Sequence, residues 1–106
     1  MIKSYANSET QTLYETGFHP RFQSFARVAL SKLDMLNAEV NLKSLLIPPN
    51  NRLEKLRGDC AGQYSIRIND QWRVCFRWDD GDAWDVEIVD YHCKDHYAFN
   101  QSDTPW

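Results

Sequence analysis

The segment YSIRINDQWRVCFRW, residues 64–78, carries three arginines at alternating positions of two apolar runs joined by a turn: Arg67, Arg73 and Arg77. Side chains of a strand repeat with a period of two, so the arginines fall on one face and the large apolar side chains on the other. Guanidinium groups that converge on one site bind phosphate through paired hydrogen bonds and stabilise the charge of a phosphoryl-transfer transition state. The pattern predicts a flat, solvent-accessible cationic face, joined by Arg57 and Lys55 from the preceding segment.

A structural interpretation of the same face stays open. Asp85 and Glu87 lie on the next apolar run and alternate in the same way. Ion pairs between neighbouring strands are common in sheets. Alternation alone therefore allows a phosphate-binding face or a solvated face of paired charges.

Three titratable side chains end the last apolar run, in VDYH: Asp90, Tyr91 and His92. Histidine is the one that titrates near neutral pH without help. By parity, Tyr91 joins Asp85 and Glu87 on the arginine face, whereas Asp90 and His92 point to the other face unless the strand end twists or breaks. By itself, the triplet fits a structural role as well as acid–base catalysis.

A metal site is an alternative use of the next residues, HCKDH. Two histidines four residues apart suit zinc on a helix, but no Cys-x-x-Cys accompanies them and the fourth ligand would come from afar. We therefore expect neither a metal nor another cofactor. The possible ligands considered are His92, Cys93, Asp95 and His96.

Length and composition indicate one globular domain. The chain has 106 residues, 42% of them hydrophobic and 25% charged, which is ordinary for a water-soluble protein. No apolar run approaches the roughly 20 residues that span a bilayer, and MIKSYANSE lacks the apolar core of a signal peptide. Three widely spaced cysteines do not suggest a secreted disulfide framework. We expect a cytoplasmic protein with reduced thiols and no membrane partner.

Charge is distributed unevenly along the chain, although the net charge is only −3. Residues 1–51 carry 5 Lys or Arg and 4 Asp or Glu, residues 52–78 carry 6 and 3, and residues 79–106 carry 1 and 8. A local basic patch attracts phosphates even when the total is negative, but the acidic total weakens long-range attraction of nucleic acid. A polyanionic partner would therefore be bound at a shaped site.

The elements that position these side chains follow from periodicity. A short strand in MIKSY precedes a short helix in NSETQTLYETG, where Ser8 and Gln11 have the spacing of a capping box and Gly17 ends the helix. Apolar residues at spacings of three and four predict one helix in RFQSFARVALSKLDMLNAE. NLKSLLIPPNN predicts a helical turn and a loop.

From position 52 onward the apolar period is two. RLEKL is a bent strand candidate with Leu53 and Leu56 facing the core, and QYSIRI, WRVCFRW and AWDVEIVDYH predict an antiparallel meander. One strand, two helices and four strands predict an α+β fold with helices on the sheet face of Trp72, Val74 and Phe76. The arginine face would then stay open.

The stretch NRLEKLRGDCAGQYSIRINDQWRVCFRW, a short acidic turn with glycine, and VEIVDYH together resemble the HigB toxins of bacterial type II toxin–antitoxin modules. These proteins, also called plasmid maintenance system killer proteins, belong to the RelE superfamily. The resemblance covers residues 1–92, including MIKS and PPNNRLEKL, and residues 93–106 form a C-terminal extension. It implies a RelE-like fold, with an N-terminal strand and two helices packed on one face of an antiparallel sheet.

The resemblance also implies an activity and partners. HigB toxins are metal-independent endoribonucleases that cut mRNA in the aminoacyl site of translating ribosomes, where the 2′-hydroxyl attacks the adjacent phosphate and leaves a 2′,3′-cyclic phosphate. Such cleavage inhibits translation and growth. A HigA antitoxin, a helix-turn-helix protein, would neutralise the toxin, which then reaches operator DNA only through the antitoxin.

The resemblance assigns roles to individual residues. Arg73 would hold the scissile phosphate. Asp90, Tyr91 and His92 match the terminal triplet, with His92 as acid or base and Tyr91 positioning or stacking on the nucleotide. The cationic face itself, rather than the resemblance, suggests that Lys55, Arg67 and Arg77 guide RNA, unless the two arginines pair with Asp85 and Glu87.

Two positions depart from the family pattern. Many HigB proteins have a histidine and, three residues later, a lysine where this chain has Glu54 and Arg57. Arg57 titrates too high to act as a base and would bind phosphate, whereas Glu54 would act as a base or shape the site. These departures and the extension also suggest the alternative of a catalytically weak member that serves mainly as an antitoxin-binding co-repressor.

Overall fold

A computed structural model describes residues 1–47, 51–56, 58 and 61–90. Helix α1 is Ser8–Thr16, a 3-10 helix covers Pro20–Phe25, α2 is Ala26–Ala38, and a second 3-10 helix covers Leu42–Leu46. The strands are β1 (Glu54–Lys55), β2 (Gln63–Arg67), β3 (Trp72–Asp79) and β4 (Asp82–Asp90). Within the described residues, no helix is long and apolar enough to cross a bilayer.

The four strands form one antiparallel sheet in the order β1-β2-β3-β4. The predicted meander is therefore confirmed. The N-terminal segment runs parallel to β4 at the sheet edge, where Ile2 bridges to Ala83 and Tyr5 to Val86. With helices against this sheet, the predicted α+β class is also confirmed.

The N-cap of helix α1 lies one residue before the predicted one. The N-cap is Asn7, whose side chain accepts a hydrogen bond from the Thr10 amide at 2.9 Å, so the predicted cap at Ser8 is wrong. Asparagine and serine are nearly equal as N-caps, which is why the sequence left the choice to the fold. Gly17 ends the helix with φ 80°, as predicted.

The predicted second helix is divided in two. A 3-10 helix starts at Pro20, and the α-helical pattern begins at Ala26. The apolar stripe is nevertheless continuous across the division and packs on the sheet. Its members are Phe22, Ala26, Ala29, Leu33 and Leu36, which are buried, and Phe25 and Leu30, which are partly buried.

The main core lies between this helical layer and one face of the sheet. The sheet contributes alternate residues of its central strands, as a period of two requires. Their burial is complete or nearly so. They are Ile66, Ile68, Val74, Phe76, Val86 and Ile88.

The opposite face of the sheet is not the open cationic face that alternation predicted. Leu56, Cys75 and Val89 form a second, smaller buried cluster there, and Arg73 is only 5% exposed. Leu56 belongs to this cluster while Leu53 belongs to the main core, because two residues three apart in an extended segment face opposite ways. We call this side of the sheet the second face.

A β-bulge in β4 changes which side chains face the core in the first part of the strand, before Val86. Cys75 pairs with Glu87 but Arg77 pairs with Trp84, so β4 holds one residue more than β3 between these pairs. Asp85 lies in the bulge with φ 53°, and its amide donates to Ser4 Oγ at 2.8 Å. The extra residue lets Ala83 and Val86, three apart, both face the main core.

Candidate active site

Arg73 occupies the centre of the second face. Its Nε donates to Ser65 Oγ at 2.8 Å, and Nη2 donates to the carbonyl oxygens of Arg52 and, at 3.4 Å, Ser65. Ser65 on β2 is 1% exposed. Buried acceptors on both sides therefore hold the guanidinium in one orientation.

Glu54 is the acidic neighbour of Arg73. Its Oε1 lies 3.7 Å from Arg73 Nη2, and the side chains are 14% and 6% exposed. Position 54 faces Ser65 across the β1–β2 pair, which places it on the second face. The pKa of Glu54 is raised because burial outweighs the opposing effect of Arg73 and Arg52.

Arg67 lies directly opposite Arg73 in the β2–β3 pair. Like charges at opposed positions repel, so each arginine needs an anion nearby. Arg67 forms an ion pair with Asp70 in the adjoining turn, and its side chain is 29% exposed. This residue is therefore the more accessible cation of the two.

The remaining predicted RNA-binding residues diverge. Arg77 is half exposed and pairs with Asp85 at 3.4 Å, which is one of the ion pairs that alternation predicted. Glu87 instead accepts a hydrogen bond from Asn7 Nδ2 at 3.3 Å. Lys55 is exposed, but it alternates with Glu54 and so lies on the opposite face from Arg73.

Asp90 ends β4, where it pairs with Trp72 and accepts a hydrogen bond from Gln71 Nε2 at 2.9 Å. Trp72 packs against the main core, so Asp90 lies on that side of the sheet, as parity predicted. The adjacent Val89 is the residue opposed to Arg73. The structure thus brings Asp90 to the same strand end as Arg73 but not to the same face.

Three predicted site residues, Arg57, Tyr91 and His92, lie outside the described part of the chain. So do the metal ligands considered above: His92, Cys93, Asp95 and His96. Among the residues that are described, no group of three metal-ligating side chains is close enough to hold an ion.

Sequence reasoning missed Ser65 and Arg52, which both accept hydrogen bonds from Arg73. Ser65 shares its parity with Arg67, and this signal would have placed it beside the arginines. Arg52 acts through its backbone carbonyl, with φ 47° at that position, and no side-chain pattern reveals such a contact.

Comparisons with known proteins agree on the family. Residues 3–92 match the HigB-like toxin model, described as the RelE-like toxin of the type II toxin–antitoxin system HigB. Over 98 residues the chain is 30% identical to Endoribonuclease HigB of Proteus vulgaris, covering 87% of this chain and all of that protein. Over 60 residues it is 43% identical to Toxin HigB-1 of Vibrio cholerae, covering 57% of this chain and 63% of the relative.

Two further matches are more limited. An uncharacterized protein of Haemophilus influenzae is 38% identical over 57 residues, which span 56% of its length. A solved YoeB–YefM complex of Staphylococcus aureus has a chain that matches at a TM-score of 0.51 and 22% identity, covering 83% of this chain and 94% of that chain. At this identity the likeness shows only that the two chains share a fold. Because residues 3–92 of its 106 residues match the family model, the chain belongs to the HigB-like family of RelE-like toxins of type II toxin–antitoxin systems.

Proposed function

We propose that the protein is an endoribonuclease that cuts mRNA on translating ribosomes in the cytoplasm, without a metal. The observation that carries the proposal is the buried Glu54–Arg73 pair, with Arg67 opposed to Arg73 on the same sheet face. A carboxyl group whose pKa is raised, next to fixed cations, is suited to move a proton beside a phosphate. The name of the Proteus vulgaris relative supports the same activity.

In this mechanism the phosphate lies at the Arg67–Arg73 pair. Arg73 is held by Ser65 and Arg52 before substrate arrives, so little reorganisation is needed to stabilise the phosphorane. Arg67 would leave Asp70 for the phosphate, which also relieves the repulsion between the two opposed arginines. These roles differ from those expected from the sequence, where Arg73 alone holds the scissile phosphate. Here Arg67 moves to contact the phosphate, and Arg73 stays fixed beside it.

Proton transfer needs a base for the 2′-hydroxyl and an acid for the leaving 5′-oxygen. We assign the base to Glu54, because it is the buried carboxyl group beside Arg73. His92 and Tyr91 are proposed as the acid and as a nucleotide-positioning residue, with Arg57 as a further phosphate ligand. Asp90 would orient His92 from the end of β4.

Partners follow from the same proposal. The ribosome would organise the mRNA, since the chain carries a net charge of −3 and its cations are confined to a small area. A HigA-type helix-turn-helix antitoxin would neutralise the toxin and connect it to operator DNA. A solved relative of this fold is a toxin–antitoxin complex, which supports an antitoxin partner.

The test uses programmed ribosomes carrying end-labelled mRNA. We expect cleavage there, no cleavage of the same RNA without ribosomes, products ending in 2′,3′-cyclic phosphate, and no effect of a chelator selective for transition metals, which leaves the Mg²⁺ of the ribosome in place. Arg73→Ala and His92→Ala are expected to lose about 10²-fold or more in single-turnover rate. Arg27→Ala changes an exposed arginine of α2 and serves as the matched control. Equal cutting of free RNA, or full activity of both variants, contradicts the mechanism.

A second candidate function rests on the burial of Arg73. An arginine that is 5% exposed and bonded to three acceptors also fits a structural role, in a protein that binds its antitoxin and tunes repression. Expression without antitoxin separates the two. Growth arrest that Glu54→Gln abolishes supports the enzyme, whereas harmless overexpression of the intact chain supports the binding module.

A further inference from the structure

A buried lysine and a buried asparagine meet beneath the start of β1. Lys32 of α2 is 8% exposed, and its Nζ donates to Asn51 Oδ1 at 2.5 Å. Asn51 is fully buried. Neither residue belongs to the apolar stripe, and neither has a role in the chemistry proposed above.

Asn51 is bonded through both ends of its amide. Its Nδ2 donates to the Leu45 carbonyl at 3.0 Å and lies 3.0 Å from Met35 Sδ. Position 51 is thus tied to α2 through Lys32 and Met35 and to the second 3-10 helix through Leu45. These contacts fix the chain at the point where it enters the sheet.

The next residue along the chain belongs to the active site. Arg52 adopts φ 47°, a backbone conformation that non-glycine residues keep only when their surroundings enforce it. Its neighbours Asn51 and Leu53 are both buried and anchored. The Arg52 carbonyl, held in this way, accepts the Arg73 Nη2 hydrogen bond.

Stability alone does not account for a lysine at this place. A buried ammonium group loses its hydration, and an apolar side chain of similar length would fill the space without that cost. Burial and the charge of Arg67 both lower the pKa of Lys32, which means that the surroundings disfavour its charged form.

We propose that the Lys32–Asn51 pair is a positioning device that fixes the Arg52 backbone, so that the Arg52 carbonyl holds Arg73 in line with Glu54. As a claim about catalysis, the inference rests on the proposed function. As a claim about the orientation of Arg73, it does not. Lys32 and Asn51 are positioning residues that touch no substrate.

The experiment compares Lys32→Met, Asn51→Asp and a control, Lys43→Met, which makes the same change at an exposed lysine of the second 3-10 helix. Two quantities are measured on each full-length protein. The first is the Arg73 Nε–H resonance in a nitrogen-15 NMR spectrum, assigned with Arg73→Lys. The second is the single-turnover rate at saturating programmed ribosomes, together with the ribosome concentration at half-maximal rate.

We expect Lys32→Met to move the Arg73 resonance and to lower the saturating rate by roughly 10- to 100-fold without changing the half-maximal concentration, because misplacement by about 1 Å is enough for such a loss. Asn51→Asp keeps an acceptor for Lys32 but replaces the Nδ2 donor with an oxygen that faces the Leu45 carbonyl, so we expect it to move the resonance and lower the saturating rate as Lys32→Met does. Lys43→Met is expected to change neither. A loss of stability alone would not lower the saturating rate of a folded variant while leaving the half-maximal ribosome concentration unchanged.

Opposite results overturn the inference. It fails when folded Lys32→Met or folded Asn51→Asp leaves the resonance and the rate unchanged. Where Lys32→Met does not fold, the Arg73 resonance of Asn51→Asp decides, since retention there contradicts the proposal and displacement supports it. A wild-type protein without cleavage would refute the proposed function, while the resonance would still test how Arg73 is oriented.

Discussion

Glu54 and Arg73 carry opposite charges in a part of the sheet from which most water is excluded, at a separation of 3.7 Å. Their environment acts differently on the two groups. Arginine keeps its proton at any pH at which the protein folds, whereas the burial of Glu54 raises its pKa. At the scale of residues, the titratable member of the pair is therefore the carboxyl group, and it sets the pH dependence that the pair contributes.

Glu54→Gln tests that assignment. A general base acts when deprotonated, so the wild-type rate should rise with pH through a window above the ordinary pKa of glutamate. The variant should lose that rise and about 10²- to 10⁴-fold in plateau rate. The measurement is the single-turnover rate on programmed ribosomes against pH. Glu15→Gln, at an exposed position of α1, is the control, and an unchanged profile in Glu54→Gln would assign the base elsewhere.

The same variant makes a prediction about stability. Because the folded state binds the Glu54 proton more tightly than the unfolded chain, the free energy of unfolding falls as pH rises from the unfolded pKa to the folded one. Glu54→Gln should remove this contribution, which urea unfolding at several pH values measures.

Strand β4 shows how one inserted residue changes the faces of an element. Strict alternation from Ala83 would bury Asp85, but the bulge buries Val86 and leaves Asp85 at the surface with Arg77 and Ser4. Aspartate is among the few residues that tolerate a left-handed backbone. At the scale of elements, the bulge keeps the acidic side chain out of the main core.

Asp85→Val should therefore destabilise the protein. A β-branched residue at φ 53° costs about 1–3 kcal/mol, and the side-chain contacts of Asp85 to Arg77 and to Ser4 Oγ, at 3.4 Å each, are lost as well. Asp85→Asn, which tolerates the same backbone, should cost less than about 1 kcal/mol. The free energy of unfolding in urea gives both values. Equal losses in the two variants would show that the backbone at this position is not what selects aspartate.

The elements that could be predicted are those with a regular period. The helical stripe from Phe22 to Leu36 and the three-strand meander were confirmed, because burial on one face repeats at fixed spacings. The bulge at Asp85 and the division of the second helix at Ala26 interrupt a period, and interruptions leave little trace in composition. The cap at Asn7 differs by one residue from the expectation because its neighbour Ser8 is an equally good cap.

The candidate site was predictable to a lesser degree. Alternation placed Arg67 and Arg73 on one face, and this is correct. It did not predict that Leu56, Cys75 and Val89 would cover part of that face and bury Arg73, because the register of the strands and the place of Leu56 after β1 are known only in the fold. Backbone acceptors such as the Arg52 carbonyl have no side-chain pattern at all.

At the scale of the whole molecule, a basic segment of the chain is followed by an acidic one. Residues 52–78, which include Arg67 and Arg73, have 6 Lys or Arg against 3 Asp or Glu, and residues 79–106 have 1 against 8. Such a protein attracts a polyanion at short range and gains little from long-range steering. We therefore expect weak binding to free RNA, with an affinity that depends only weakly on salt concentration.

Each phosphate contact on a single strand contributes about −0.7 to the slope of log K against log salt concentration. Contacts from Arg67 and Arg73 would give a slope of about −1.4, and Arg67→Ala should reduce its magnitude by about 0.7. Fluorescence anisotropy of a short 2′-O-methyl RNA over about 25–200 mM KCl measures the slope, with exposed Arg27→Ala as the control. A slope near −5, or one that Arg67→Ala leaves unchanged, would mean that RNA binds a broader surface than the second face. Because 2′-O-methyl RNA cannot be cleaved by 2′-hydroxyl attack, the result concerns binding alone and is independent of the proposed catalytic roles.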